Sequence, residues 1–173
     1  YLSFSILYRI VFALRTGAQN KIAAETNTKD MLLSSSAIRA RIADGTLGIT
    51  PFAEESLQPA SYDLRVAEDI VLKAGELSLV ATMEFVSLPA DLAATLRSRS
   101  SFGRKGVLLG AGYIDPRFRG NLTLCMVNMG LDDIQVAKGT RVVQMLIHPI
   151  LGDVENAYNG NYQDSYGVVH SKI

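Results

Sequence analysis

The sequence predicts an all-β domain, a sandwich or barrel, carrying one short helix near its N-terminal end. Two observations predict it. Beyond Thr50-Pro51 the chain runs through short apolar, β-branched stretches at close spacing, and Gly-bearing turns at Ala74-Gly75, Met129-Gly130 and Lys138-Gly139 separate them. The segment before residue 45 has clear helical spacing: Ser34-Ser35-Ser36 offers N-caps, Ile38 and Ile42 fall at i and i+4, and Gly45 stops the run. A helix over about residues 37–44 follows.

The strands are read in order. Residues 69–73 close at Gly75; residues 76–82 are mixed and apolar-rich; residues 85–88 stop at Pro89. Residues 89–96 suit helix or strand equally. Residues 121–128 form a strand, 134–136 lead into the Lys138-Gly139 turn, and 140–147 form an apolar, β-branched strand.

With 173 residues and 48% hydrophobic content, the chain can bury one sizeable core. Seventeen basic and seventeen acidic side chains leave no net charge, which argues against nucleic acid or an anionic membrane as partner. A phosphate-bearing ligand must then be met by a local cluster. Cys125 is the sole cysteine, so an internal disulfide and a sulfur-rich zinc site are excluded and a reducing, cytoplasmic setting is expected. Residues 1–30 read as an N-terminal extension outside the core. Their apolar start and basic, acid-poor character suit a signal or transit peptide, or an extension ahead of a start at Met31. Residues 31–155 read as the β domain and 156–173 as a C-terminal tail, polar and rich in Gly and Tyr. Such a tail is either a frayed end or a flap that orders over a ligand.

One stretch concentrates chemistry. Arg97-Ser98-Arg99-Ser100-Ser101 with Arg104 and Lys105, then Arg117 and Arg119, flank the single carboxylate of Asp115. Guanidinium groups, hydroxyls and the backbone N–H groups near Gly103 and Gly106 suit a dense anion such as a triphosphate. A carboxylate beside an anion site makes sense as a general base or as a partner of Mg²⁺. The same composition also suits a polar hairpin with surface ion pairs.

Several motifs, in order, resemble the trimeric dUTP diphosphatase and dCTP deaminase superfamily. Pro59-Ala60-Ser61-Tyr62-Asp63-Leu64 resembles its first motif, and Arg99-Ser100-Ser101-Phe102-Gly103 the second, a phosphate-binding turn. Gly112-Tyr113-Ile114-Asp115 with Phe118-Arg119-Gly120 resembles the third. Gly139-Thr140-Arg141 through Gln144-Met145-Leu146-Ile147 resembles the fourth, and Ser165-Tyr166-Gly167 loosely the fifth. The resemblance implies a jelly-roll-like β fold of the dUTPase, β-clip kind. It also implies a homotrimer with sites at subunit interfaces, a tail closing over the nucleotide, and Mg²⁺ as cofactor.

The resemblance further implies roles. Asp115 would activate water for attack at the α-phosphorus. Arg99, Ser100, Ser101, the amide of Gly103 and Gln144 would hold phosphates. The Gly112-Tyr113-Ile114 hairpin would read the base through its backbone, Phe118 would pack on the deoxyribose, and Tyr166 would stack on the base. Asp63 would reach Mg²⁺ through water. Within the superfamily, zinc-free deaminases carry a proton-shuttling glutamate where this chain has Cys125, and a thiol does not replace a carboxylate in that task. Hydrolysis of dUTP to dUMP and pyrophosphate is therefore the expected activity; zinc-free dCTP deamination, alone or in a bifunctional enzyme, and a non-catalytic nucleotide-binding trimer are the alternatives. Other residues resemble the deaminase branch: the early helix after Met31, Asp115-Pro116, Arg104, and Asn159-Gly160-Asn161-Tyr162-Gln163.

Overall fold

Ser34 starts the first element, its hydroxyl accepting from the Ala37 N–H at 3.4 Å, and helix α1 runs Ser35–Ala43. The computed structural model describes residues 32–156 and 158–172, so the expectations for residues 1–30 and for a start at Met31 lie outside the described residues. Ile38 is fully buried, while the Leu33 and Ser35 amides donate to the carbonyls of Ile147 and Pro59, both at 2.9 Å. These bonds stitch the start of α1 onto the β domain. Gly45, at φ +76°, takes the left-handed conformation that closes a helix without a Cβ clash.

Eleven strands are found among the described residues. Sheet one orders β1 (Gly48–Thr50), β5 (Leu77–Ser87), β9 (Arg119–Asn128) and β7 (Val107–Gly110); all its pairs are antiparallel. Sheet two orders β2 (Leu57–Gln58), β3 (Ser61–Arg65), β11 (Arg141–Pro149), β6 (Leu92–Ser98) and β8 (Tyr113–Ile114), also antiparallel. A ribbon of β4 (Ile70–Leu72) and β10 (Ile134–Val136) completes the set. A second helix, the single turn α2 (Ser100–Gly103), was not expected from the sequence. The mostly-β architecture is as predicted. Of residues 89–96, 92–96 resolve as part of strand β6 and 89–91 as the turn before it, and the segments 76–82 and 85–88 merge into the one strand β5.

Period-two burial explains the core. On β9, Leu122, Leu124 and Met126 face inward; on β11, Val143, Met145 and Ile147 do. These residues, with Leu64 of β3, Val80 and Val86 of β5 and Leu96 of β6, belong to one hydrophobic cluster drawn from both sheets.

The alternation fails on β5 between Ala81 and Phe85, where four steps of β5 oppose two of β9. Polar side chains take over the abandoned ladder. Asn121 Nδ2 donates to the Thr82 and Glu84 carbonyls at 3.1 and 3.0 Å, and the Leu122 N–H donates to Thr82 Oγ1 at 2.9 Å. Glu84 is fully buried and accepts from the Arg65 N–H at 2.9 Å and from Arg65 Nε at 2.6 Å. A buried carboxylate is tolerable only with such a partner. Among the described residues no helix is long and apolar enough to cross a membrane, which says nothing of β-barrel membrane proteins.

Candidate active site

The β6–α2 corner brings the first donor cluster together with β3 and β11. On β11, Gln144 sits opposite Asp63 of β3 on one side and Arg97 of β6 on the other. Asp63 is fully buried, and Arg99 Nε lies 3.0 Å from its Oδ2, with Arg141 Nη1 3.7 Å away. Neither contact is aligned as a hydrogen bond, so the pairing is chiefly charge on charge. Burial pushes the Asp63 carboxyl up from its ordinary 3.8, and the Arg99 and Arg141 guanidinium groups pull it partly back. Arg99 also donates through Nη1 to the Arg141 carbonyl at 3.2 Å. Its side chain is thus turned inward, toward Asp63.

Asp63 does not fit the expected Mg²⁺ contact. Its carboxylate is enclosed, and the positive charge beside it comes from two arginines. Among the described residues no group of three His, Cys, Asp or Glu side chains could hold a metal ion. A protein-built Mg²⁺ site is absent among the described residues there.

The phosphate turn differs from expectation in one respect. The amides of Phe102 and Gly103 both donate to the Arg99 carbonyl at 2.9 Å, Arg104 N–H to Ser100, and Gly106 N–H to Gly103. The amides at Gly103 and Gly106 are therefore consumed by the turn itself, because a tight helical turn closes on its own carbonyls. Exposed Ser100 and Ser101, with Arg104 and Lys105 beside them, remain to meet an anion. Gln144 is half-buried within β11.

The expected hairpin is instead a link from β7 of sheet one to β8 of sheet two, since β7 pairs with β9 and β8 with β6; it carries Ala111 at φ +60° and Gly112 at φ +105°. A Cβ at Gly112 would come 3.1 Å from Leu96 Cβ, and its carbonyl accepts from the Leu96 N–H at 2.7 Å. Only glycine fits that approach. Tyr113 is exposed, and Ile114 is buried opposite Ala94. Asp115 follows, exposed, in a turn where the Phe118 N–H donates to the Asp115 carbonyl at 3.2 Å. None of the ion pairs among the described residues engages Asp115. An exposed, unpaired carboxylate has the freedom a general base needs.

Two aromatic expectations change. Phe118 is only 6% exposed, belongs to the core cluster and meets Tyr158 edge-on, ring centroids 5.8 Å apart. Little of its ring is left to pack on a sugar. Tyr166 is 88% exposed and lines an open groove of about 590 Å³ with Thr50, Pro51, Asn121 and Lys138, a lining that does not include Gly112, Tyr113 or Ile114. Cys125 is half-buried on the face of β9 that also carries Thr123 and Val127.

Sequence reasoning missed the Asp63–Arg99–Arg141 group as an internal ion cluster. A carboxylate inside Ser61-Tyr62-Asp63-Leu64, all buried, was the available signal. It also missed the tail's anchorage, described below.

A family model described as dCTP deaminase-like matches residues 32–71 and 65–150. The chain belongs to this family. It thereby falls in the superfamily that its motifs resemble. A relative named dCTP deaminase, from Pyrococcus horikoshii, is 37% identical over 139 residues, covering 72% of this chain and 89% of the relative. Another, from Sulfurihydrogenibium sp., named dCTP deaminase, dUMP-forming, is 30% identical over 175 residues, covering 83% and 97%. Among solved structures, 2'-deoxycytidine 5'-triphosphate deaminase from Agrobacterium tumefaciens aligns with TM-score 0.61 at 24% identity. That alignment covers 69% of this chain but 49% of the other, so the chain spans about half its length. The Staphylococcus bacteriophage 80alpha dUTPase aligns with TM-score 0.53 at 23% identity, covering 66% and 89%. The two structural likenesses bear on the fold alone. The expectation of dUTP hydrolysis is shifted by these relatives, whose names favour the deaminase branch.

Proposed function

We propose that the protein is an enzyme acting on pyrimidine deoxynucleoside triphosphates, with dCTP as substrate and dUTP and ammonia as the products of hydrolytic deamination. The observation that carries this reading is the family match across 32–150 with relatives named for that reaction. The docked helix α1, expected of the deaminase branch, supports it. Ser100, Ser101, Arg104 and Lys105 would bind the triphosphate, and the Gly112–Ile114 backbone would read the base. On this reading the proton shuttle is a group other than a carboxylate on β9, since Cys125 stands at the glutamate position implied by the resemblance.

Cys125 favours a second reading, hydrolysis of dUTP to dUMP and pyrophosphate. There Asp115 takes a proton from the water attacking the α-phosphorus, and the basic cluster stabilises charge on the departing pyrophosphate. Mg²⁺ would come with the triphosphate, which needs no protein cage. A homotrimer is part of both readings. Exposed Leu77 and Leu108, opposite Val127 from either side, with Met129 and Leu131 nearby, supply apolar surface for such an assembly.

Product analysis with dCTP and dUTP separates the two. Ammonia from dCTP supports the first reading. Pyrophosphate and dUMP from dUTP without ammonia from dCTP replaces it with the second, and Asp115→Asn should then cost at least about 10²-fold in kcat. Turnover of neither sinks both.

A further inference from the structure

The tail residue Gln163 meets the turn that carries Asp115 through both ends of its carboxamide. Its Oε1 accepts from the Arg119 N–H at 3.0 Å, and its Nε2 donates to the Arg117 carbonyl at 2.9 Å. The donor and acceptor characters of those backbone groups fix which way the amide points. Just beyond, the backbones pair directly: Asp164 N–H to the Arg119 carbonyl at 2.9 Å and Asn121 N–H to the Ser165 carbonyl at 2.8 Å. The side chain of Gln163 thus extends a short parallel ladder onto backbone groups that the tail's own backbone does not bond.

The turn it grips is strained. Asp115 to Phe118 has the pattern of a type II turn, with Pro116 second and Arg117 third at φ +64°. Glycine or asparagine usually occupies that third position; a long side chain there costs roughly 1–2 kcal/mol. Such a conformation persists where its surroundings over-determine it. The Arg117 N–H donates to the Pro89 carbonyl at 3.2 Å, the Leu88 N–H to the Phe118 carbonyl at 2.9 Å, and the Phe118 ring is anchored in the core; Gln163 adds two bonds from the tail, on either side of Phe118.

We propose that Gln163 is a positioning residue: its carboxamide clamps the strained 115–118 turn from the tail and so sets the direction of the Asp115 carboxylate. This rests on the second functional reading, in which Asp115 takes the proton from the attacking water. Without the clamp the turn relaxes, and the carboxylate loses its aim while the phosphate-binding corner, on α2, is untouched.

The test compares Gln163→Leu, which removes both bonds, with Gln163→Glu, which keeps the acceptor and loses the donor. An Asp164→Asn variant, weakening only the exposed Arg119–Asp164 pair, serves as control. With dUTP as substrate, kcat should fall roughly 10- to 100-fold in Gln163→Leu, less in Gln163→Glu, with KM within about threefold. Asp164→Asn should keep kcat. An unchanged kcat in Gln163→Leu, a rise confined to KM, or an equal loss in Asp164→Asn overturns the clamp. Amide hydrogen exchange of the ligand-free chain gives a readout independent of activity. Exchange at Arg119 should accelerate in Gln163→Leu, and no acceleration overturns the proposal. If the unsubstituted protein does not turn over dUTP, the second reading fails and exchange at Arg119 alone decides the clamp.

Discussion

Two buried carboxylates on neighbouring strands behave differently because their partners differ. Glu84 receives two aligned donors from Arg65, so removing its charge strands a guanidinium that is itself mostly buried. Glu84→Ala should destabilise the fold by about 3–5 kcal/mol, read as a drop in urea midpoint. Asp63 has charge nearby but no aligned hydrogen bond, and burial raises its pKa. Between its ordinary 3.8 and the raised folded value, the folded chain keeps a proton that the unfolded chain has released. The Asp63 contribution to stability is therefore greatest at low pH and falls as pH rises through that window. Urea midpoints across the acid range should show the fall, and Asp63→Asn should remove it. A midpoint profile identical in both proteins would contradict this account of Asp63.

At the scale of elements, the reaction-bearing residues sit on turns whose shapes the adjacent strands impose. The Gly112 position needs glycine because Leu96 closes on it, whereas the Arg117 position tolerates a side chain at positive φ only under restraint. Arg117→Gly should accordingly stabilise the protein by about 1 kcal/mol, detected as a higher urea midpoint. A fall in midpoint would mean that the arginine side chain contributes more than its backbone costs. The β5 bulge is the counterpart in sheet one. It turns Glu84 inward at the point where Asn121 of β9 can satisfy the freed carbonyls.

For the whole molecule, the tail is an addition to a domain whose core it touches chiefly through half-buried Tyr158, edge-on to Phe118. Of the described tail residues only Ser165 is buried, and among the described residues no hydrophobic side chain beyond Ile147 is fully buried. A chain ending at residue 155 should keep its urea midpoint within a small margin yet lose turnover, because the turn carrying Asp115 loses its restraint. A truncated chain with full activity would show that the tail has no part in the reaction.

The all-β class, the helix at Ser34 and the donor-rich corner were legible in the sequence, because each rests on local patterns: caps, period-two burial and clustered charge. Family membership was legible for the same reason, as five motifs in order. The partners of polar groups were not. That Arg99 turns toward Asp63, that the Gly103 amide is consumed by its own turn, and that Gln163 reaches back to Arg117 and Arg119 are contacts between residues distant along the chain or hidden in the closure of a turn. In the ambiguous stretch 89–96, residues 92–96 became part of strand β6 because β11 and β8 flank them with ladder partners, a tertiary fact. What side chains the chain carries, and with what spacing, the sequence by itself determined; which of them face one another only the packing of the two sheets decided, since a hydrogen bond depends on distance and direction in space rather than on order along the chain.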